Sequence, residues 1–252
     1  MNLSIRLISL LSTALIFTAA CGSSNDKKTE EGTTLSKVEQ VESSTMKTGG
    51  LKPVAEDQTT KVEETSFVEG KHYVEIFPEM QTDAAPGKVE VVELMWLGCP
   101  HCYKLEPAMI KYRNSHPDFV EFKQVPAMLN PSWAADAKTF YTAELLDPTG
   151  EKELITQIFA AIHEQKRRLR NPASVMRFFG QLGFSEEQVK KVQNSMAYKA
   201  KLSRAEEIGK ASQANSVPTL IINGKYRTGV YMAGSEENLM KIIDMLTNKE
   251  KK

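Results

Sequence analysis

Cys99 and Cys102 are the two residues of this 252-residue sequence whose types and spacing are best suited to chemistry, because they enclose a Pro-His dipeptide. The one other cysteine in the sequence is Cys21. A disulfide across a two-residue spacer closes so short a loop that it would constrain the unfolded chain little, which argues against a structural role. Thiols at this spacing are a moderate indication of redox chemistry.

A zinc site is the main competing interpretation of two nearby cysteines. Structural zinc normally has four ligands, and a second pair of Cys or His residues commonly supplies two of them. The sequence has no such second pair, since His72, His116 and His163 stand singly. We therefore expect no metal site, and we expect these three histidines to be ordinary surface or capping residues.

The flanking sequence places Cys99 at the amino end of a helix. Residues 88–95 are rich in β-branched side chains and predict a strand, while the apolar positions after Cys102 recur with helical spacing. Pro100 would then occupy the first helical position, where proline is tolerated. The helix dipole, backbone N–H groups and a cationic His101 would stabilise a Cys99 thiolate and lower its pKa. Cys102 would lie one turn further in and act as the more buried, resolving thiol.

The segment Trp96–Cys102 resembles the active-site segment of the DsbA family. The members of this family are periplasmic thiol:disulfide oxidoreductases with a thioredoxin fold. Three further segments are similar to the same family. Residues 67–73 resemble its opening strand, residues 161–169 its helical insertion, and residues 217–226 the strand that follows its cis-proline. The resemblance covers residues 67–248 and implies an α/β, thioredoxin-like fold with an inserted helical domain.

The resemblance also implies roles for residues outside the Cys pair. Glu93 would be the acid that DsbA proteins bury beneath the active site, where burial raises its pKa and lets it relay a proton for Cys102. The alternative is a carboxylate that faces solvent or pairs with a lysine. Val217 and Pro218 would form the cis-proline loop and leave a backbone free to pair with an extended substrate, although a trans bond is the generic expectation. Trp96 would form a wall and substrate-contact surface.

The remaining pattern predicts a thioredoxin-like domain that is split by an insertion. Residues 67–130 would form its first part, residues 131–190 the inserted helical domain and residues 191–252 its second part. Phe119–Val125 predicts a second strand, and Asn223-Gly224 predicts a two-residue hairpin turn.

The first quarter of the chain differs from the rest. Residues 1–20 combine one cationic side chain with an apolar run and small residues, which is typical of a secretory signal. The Cys21 that follows resembles a bacterial lipobox cysteine and would become the lipidated first residue, although an ordinary signal with an incidental cysteine is the alternative. Residues 21–66 hold no aromatic side chain and many Ser, Thr, Gly and Lys residues, which favours a disordered tether.

Charge excludes one class of function. Lys plus Arg and Asp plus Glu are 32 each, so the formal net charge is zero. A nucleic-acid-binding protein normally carries a basic excess, and we expect none of that activity here. The local basic run Lys166–Arg170 is interpreted as a solvated helix face, and the protein is expected to be a monomer.

Together these observations predict a lipid-anchored dithiol oxidase that passes its Cys99–Cys102 disulfide to reduced exported proteins. The resemblance implies that a DsbB-like membrane quinone reductase reoxidises the dithiol and that no bound cofactor is required. A reductase or isomerase on the same fold is one alternative, although residues 22–66 cannot supply the dimerisation domain of DsbC-type isomerases. A copper chaperone that uses Cys99, His101 and Cys102 is another, because soft thiolates suit Cu(I).

Overall fold

A computed structural model describes residues 66–251 of the chain. The predicted signal, the lipidated Cys21 and the tether up to residue 65 lie outside the described residues. The strands are β1 (Val74–Glu75), β2 (Val89–Met95), β3 (Val120–Pro126), β4 (Thr219–Ile222) and β5 (Tyr226–Thr228). The helices are α1 (Pro100–Ser115), α2 (Pro131–Leu146), α3 (Leu154–His163), α4 (Pro172–Gln181), α5 (Glu186–Asn194), α6 (Met196–Ala211), α7 (Val230–Ala233) and α8 (Glu236–Glu250). In this part of the chain no helix is long and apolar enough to span a membrane.

Within the described residues, five strands form one mixed sheet in the order β1-β5-β4-β2-β3. β2 and β3 run parallel, so they need a crossover connection, and α1 supplies it. β4 pairs antiparallel with both β2 and β5. The predicted hairpin turn joins β4 to β5, where Asn223 and Gly224 both have the positive φ that this turn requires. This order confirms the thioredoxin-like fold with a helical insertion between β3 and β4.

β2 is buried along its whole length because it lies between β3 and β4 with a core on each face. Val91 packs into the core that contains side chains of α1 and α8. Val92 and Leu94 point the other way, into a core shared with the helical insertion. Burying an aliphatic side chain of this size stabilises a fold by roughly 1.5–3 kcal/mol. The loop that leaves the end of β2 therefore starts from a firmly held strand.

Five helices, α2 to α6, lie between β3 and β4 in chain order. Polar side chains cap their amino ends. Asn130 accepts two backbone N–H groups of the first turn of α2, and Ser185 and Gln188 form a capping box at α5. The expected domain boundary at residue 190 falls inside α5, and helical structure continues to Ala211. The division into three segments stays a prediction.

Residues 67–73 do not form the opening strand that the resemblance implied. The chain turns there, because Gly70 has a φ of 79° and its N–H donates to the Tyr73 carbonyl at 2.8 Å. That turn prevents extended pairing, and the short edge strand β1 begins only at Val74, where it pairs antiparallel with β5.

The basic run Lys166–Arg170 is not a helix face, so that interpretation is wrong. α3 ends at His163, and Lys166 has a φ of 57°, which a right-handed helix does not allow. The run therefore lies in a loop. One of its cations packs inward, because the Arg167 guanidinium lies 5.0 Å from the centre of the Phe178 ring.

Candidate active site

Cys99 is the N-cap residue of α1, and Pro100 starts the helix as expected. The side chain of Cys99 accepts no capping hydrogen bond, but the Cys102 thiol and the backbone N–H groups of Cys102 and His101 act on its sulfur. These contacts, together with the charge on His101, lower the pKa of Cys99 to about 6 although partial burial opposes them. The neighbouring Cys102 thiol, and after it the start of the helix, thus favour the thiolate form of Cys99 at neutral pH.

Cys102 has the opposite environment. It is fully buried, and burial raises the pKa of its thiol far above the ordinary value. The neighbouring Cys99 sulfur and the negative charge of an ionised Glu93 act in the same direction. Both cysteines are free thiols in this structure. The pair therefore combines a thiol that ionises readily with one that strongly resists ionisation.

The loop that precedes β4 lies against Cys99. The Cys99 Sγ is 3.6 Å from the carbonyl oxygen of Val217, to which the S–H donates when Cys99 is protonated. The Val217–Pro218 peptide bond is cis, as the resemblance implies and contrary to the generic expectation of a trans bond. Val217 makes no backbone–backbone hydrogen bond to any other residue between 66 and 251. Its N–H is consequently open to an incoming extended chain.

A groove of ≈ 740 Å³ runs beside this loop. His101, Val217, Pro218, Tyr231 and Met232 are among the residues that line it. The side chain of Tyr231 is fully exposed. Largely apolar grooves with a few polar groups are typical of peptide and small-molecule sites.

Glu93 lies on the face of β2 that packs against α1, and it is completely buried. Gln124, its neighbour in register on β3, donates from Nε2 to Glu93 Oε2 at 2.8 Å. Burial, with a smaller contribution from the negative charge of Glu106, raises the pKa of Glu93 to about 8. This confirms the expected burial and excludes the solvent-facing alternative.

Glu106 is a second buried acid beneath the thiols, and the sequence analysis missed it. The same Nε2 of Gln124 donates to Glu106 Oε2 at 2.7 Å, and burial raises the pKa of this carboxyl as well. Arg113 lies 3.8 Å from Glu106 Oε1 with its own side chain 42% exposed, so the cluster extends to the surface. The available signal was helical spacing, which places Glu106 on the same face of α1 as Cys102 and Met109.

Trp96 connects the β2–α1 loop to the helical insertion through a hydrogen bond and a ring stack. Its Nε1–H donates to Asp136 Oδ2 at 2.6 Å, and its ring stacks on Trp133 at 4.5 Å between ring centres. Arg170 Nε donates to both oxygens of Asp136, at 3.1 and 3.2 Å. A Cβ on Gly98 would lie 2.4 Å from the Trp96 ring, so this position requires glycine. A substrate contact by Trp96 stays a prediction.

The three single histidines differ in their surroundings. His116 is the C-cap residue of α1, and His72 accepts a backbone N–H in the turn before β1, both in line with expectation. His163 is different, because its Nε2 lies 2.8 Å from the Leu97 carbonyl oxygen and its ring stacks on Tyr103. The interpretation of His163 as an ordinary surface residue is therefore wrong. No spacing in the sequence links residues 66 positions apart.

A reactive thiol at the start of a helix, with a buried partner thiol and a cis-proline loop opposite, is an arrangement suited to disulfide exchange. On a thioredoxin-like sheet, that chemistry defines a thiol:disulfide oxidoreductase. Comparison with protein families agrees, since residues 97–243 match the DSBA-like thioredoxin domain. The chain belongs to this family.

Several proteins similar to this chain are named thiol:disulfide interchange protein DsbA, among them proteins from two Pseudomonas species. The one from Pseudomonas aeruginosa is 35% identical over 185 residues, which cover 73% of this chain and 86% of the relative. The one from Pseudomonas syringae is 36% identical over 183 residues, which cover 72% and 84%.

Solved structures show the same fold. The crystal structure of Pseudomonas aeruginosa DsbA aligns with a TM-score of 0.68 at 35% identity and covers 73% of this chain and 94% of that one. The oxidoreductase DsbA1 from Neisseria meningitidis aligns with a TM-score of 0.64 at 27% identity and covers 72% and 93%.

Proposed function

We propose that this thiol:disulfide oxidoreductase acts as a dithiol oxidase, which donates a Cys99–Cys102 disulfide to reduced exported proteins in the periplasm. The observation that carries the proposal is the place of Cys99 as N-cap residue of α1, beside the buried Cys102 and the cis Val217–Pro218 bond, where the pKa of its thiol is lowered to about 6. A stable thiolate favours the reduced form of the pair and makes the disulfide a strong oxidant. Cys99 and Cys102 are the catalytic residues of this proposal.

The first step is attack by a substrate thiolate on the sulfur of Cys99. A bond forms between the substrate sulfur and Cys99, the Cys99–Cys102 bond breaks, and Cys102 leaves with the electron pair. A second substrate thiolate then attacks the substrate sulfur of the mixed disulfide. Cys99 leaves as a thiolate, and a low pKa makes it a good leaving group. The substrate loses two electrons and the enzyme holds a dithiol.

Glu93 is the proton donor to Cys102 in this proposal. The Cys102 sulfur is buried and its pKa is far above the ordinary value, so it must be protonated as it leaves. Glu93 is protonated at neutral pH because its pKa is about 8, and once it has given up its proton the carboxylate charge keeps the pKa of Cys102 raised. On reoxidation the same carboxylate takes the proton back. His101 and Pro100 tune the thiolate from the first turn of α1.

Substrate binding is assigned to the groove beside Val217 and Pro218. An extended segment would pair with the free backbone of Val217 while apolar side chains enter the groove next to His101 and Tyr231. Trp96 would border this surface on the side of the insertion. A DsbB-like membrane quinone reductase would use the same surface to reoxidise the dithiol, and the enzyme would act as a monomer without a bound cofactor.

Attachment to a membrane through lipid on Cys21 completes the proposal. The support is the sequence of residues 1–21, which resembles a lipobox signal. Labelled fatty acid should be incorporated into the wild-type protein in cells and absent from a Cys21→Ser variant. Equal labelling of both would exclude this anchor.

The oxidase assignment is tested by the equilibrium of the Cys99–Cys102 pair with glutathione. We expect a reduction potential near that of DsbA, about −120 mV. A value near about −270 mV, which is that of thioredoxin, would overturn the oxidase assignment in favour of a reductase. Oxidation of a two-cysteine peptide by the preformed disulfide provides the direct activity measurement.

A further inference from the structure

His163 touches both sides of the dithiol motif. Its Nε2 lies 2.8 Å from the carbonyl oxygen of Leu97, two residues before Cys99. Its ring lies parallel to that of Tyr103, at 4.7 Å between centres and 3° between planes, and Tyr103 directly follows Cys102 on α1. A carbonyl oxygen can only accept, so Nε2 carries the proton of this hydrogen bond. One side chain of the helical insertion thus holds the loop before the motif and the helix after it.

The Leu97 carbonyl depends on His163. Leu97 is 1% exposed, and no other group within the described part of the chain donates to its carbonyl. A buried carbonyl without a partner is costly. Loss of the imidazole would therefore favour a shift of the loop toward another donor, and Gly98, which links Leu97 to Cys99, would transmit that shift.

The imidazole is itself held in place from several sides. His163 is the last residue of α3, and Phe159, one turn earlier, lies 5.9 Å away between ring centres. The next residue, Glu164, accepts a hydrogen bond from the hydroxyl of Tyr103. Two consecutive residues at the end of α3 are thus bonded to the first turns of α1 and its preceding loop. The contacts of His163 and Glu164 therefore connect the helical insertion to the dithiol motif.

We infer that His163 is a positioning residue, through which the helical insertion sets the reactivity of Cys99. The Cys102 thiol, the backbone N–H groups of the first turn of α1 and the charge on His101 lower the pKa of Cys99, and they do so only while that turn keeps its position relative to Cys99 and the preceding loop. The imidazole ring of His163 contacts both the preceding loop, at Leu97, and the first turn of α1, at Tyr103. The inference rests on the proposed roles of Cys99 and Cys102.

The test is the variant His163→Phe, which keeps an aromatic ring to stack on Tyr103 but removes the donor to Leu97. Alkylation of Cys99 followed across pH by mass spectrometry gives its pKa, and equilibration with glutathione gives the redox constant. We expect the pKa to rise by about 0.5 unit or more and the fraction reduced to fall, with a roughly threefold change in the equilibrium constant. His163→Gln retains a donor and should shift both quantities less.

The matched control is His116→Phe, the same substitution at the other end of α1, which should leave Cys99 unchanged. An unchanged Cys99 in folded His163→Phe protein would overturn the inference. So would a lower thermal stability with unaltered Cys99 reactivity, because that shows a merely structural role. If His163→Phe fails to fold, His163→Leu, which also lacks the donor, is measured in its place, and the same two outcomes support or overturn the inference. A wild-type protein whose Cys99 is not a thiolate at neutral pH would instead overturn the proposed function.

Discussion

Glu93 and Glu106, which lie on facing elements beneath the thiols, accept hydrogen bonds from one and the same nitrogen. Gln124 Nε2 lies 2.8 Å from Glu93 Oε2 and 2.7 Å from Glu106 Oε2. A side-chain amide nitrogen carries two protons, so each acid receives one. Burial raises the pKa of both carboxyls, that of Glu93 to about 8. At neutral pH the core below Cys102 therefore holds Glu93 in its protonated form, beside a Glu106 carboxyl whose pKa is also raised.

The raised pKa of Glu93 predicts how stability depends on pH. An acid whose pKa is higher in the folded than in the unfolded state binds more protons when folded, so folding stability falls as pH rises between the two values. That window runs from the ordinary value of 4.5 to about 8. Glu93→Gln cannot ionise, so it should gain stability relative to the wild type across this window. Since one pKa unit equals about 1.4 kcal/mol, the gain should be on the order of a few kcal/mol.

Urea unfolding of both reduced proteins at the two ends of the window measures this difference. Glu187→Gln, at an exposed position on α5, is the matched control and should show none. The same Glu93→Gln protein should transfer its disulfide more slowly, because Cys102 loses its proton donor. A stability difference that does not vary with pH would contradict the buried, protonated state of Glu93.

Cys99 should be modified selectively and at low pH. Its pKa of about 6 predicts that alkylation of the dithiol reaches half its maximal rate near that pH, while Cys102 stays unmodified. His101→Ala keeps the backbone N–H but removes the side-chain charge, so it should raise the pKa of Cys99 and make the disulfide less oxidising. Lys104→Ala, at an exposed cation further along α1, is the control. Equal alkylation of the two cysteines would contradict the assignment of their roles.

Asp136 should be important for stability although it lies far from the sulfur chemistry in sequence. Its side chain is 3% exposed and bonds both Trp96 and Arg170. Asp136→Ala leaves two donors without their acceptor, and it should destabilise the protein by about 2–4 kcal/mol. Denaturant unfolding followed by tryptophan fluorescence measures the loss, and Asp118→Ala at an exposed position provides the control. An effect below about 0.5 kcal/mol, which is typical of surface substitutions, would show that the cluster does not hold the loop.

Local signals in the sequence predicted the dithiol at the start of α1, the strand β2 and the hairpin at Asn223-Gly224, because short-range sterics and helix electrostatics determine them. Contacts across the chain were not predictable in this way. Gln124 meets Glu93 only because of the register between β2 and β3, and His163 meets Leu97 only because the insertion folds back over the loop. The prediction of a strand at residues 67–73 was wrong because the turn hydrogen bonds around Gly70 outweigh the β propensity of this segment.

Tyr231 provides a test of the groove that is independent of the sulfur chemistry. Tyr231 lines the groove together with Val217, and its side chain is fully exposed. An aromatic ring contributes most binding free energy when a partner covers it. Tyr231→Ala should therefore lower kcat/KM for a peptide with apolar residues beside its cysteine by roughly fivefold, or about 1 kcal/mol. The pKa of Cys99 should not change. Met196→Ala, another exposed apolar residue but outside the groove, should have no effect. If Tyr231→Ala oxidises that peptide at the wild-type rate, substrates do not use this wall, and binding must be assigned to the surface around Trp96 instead.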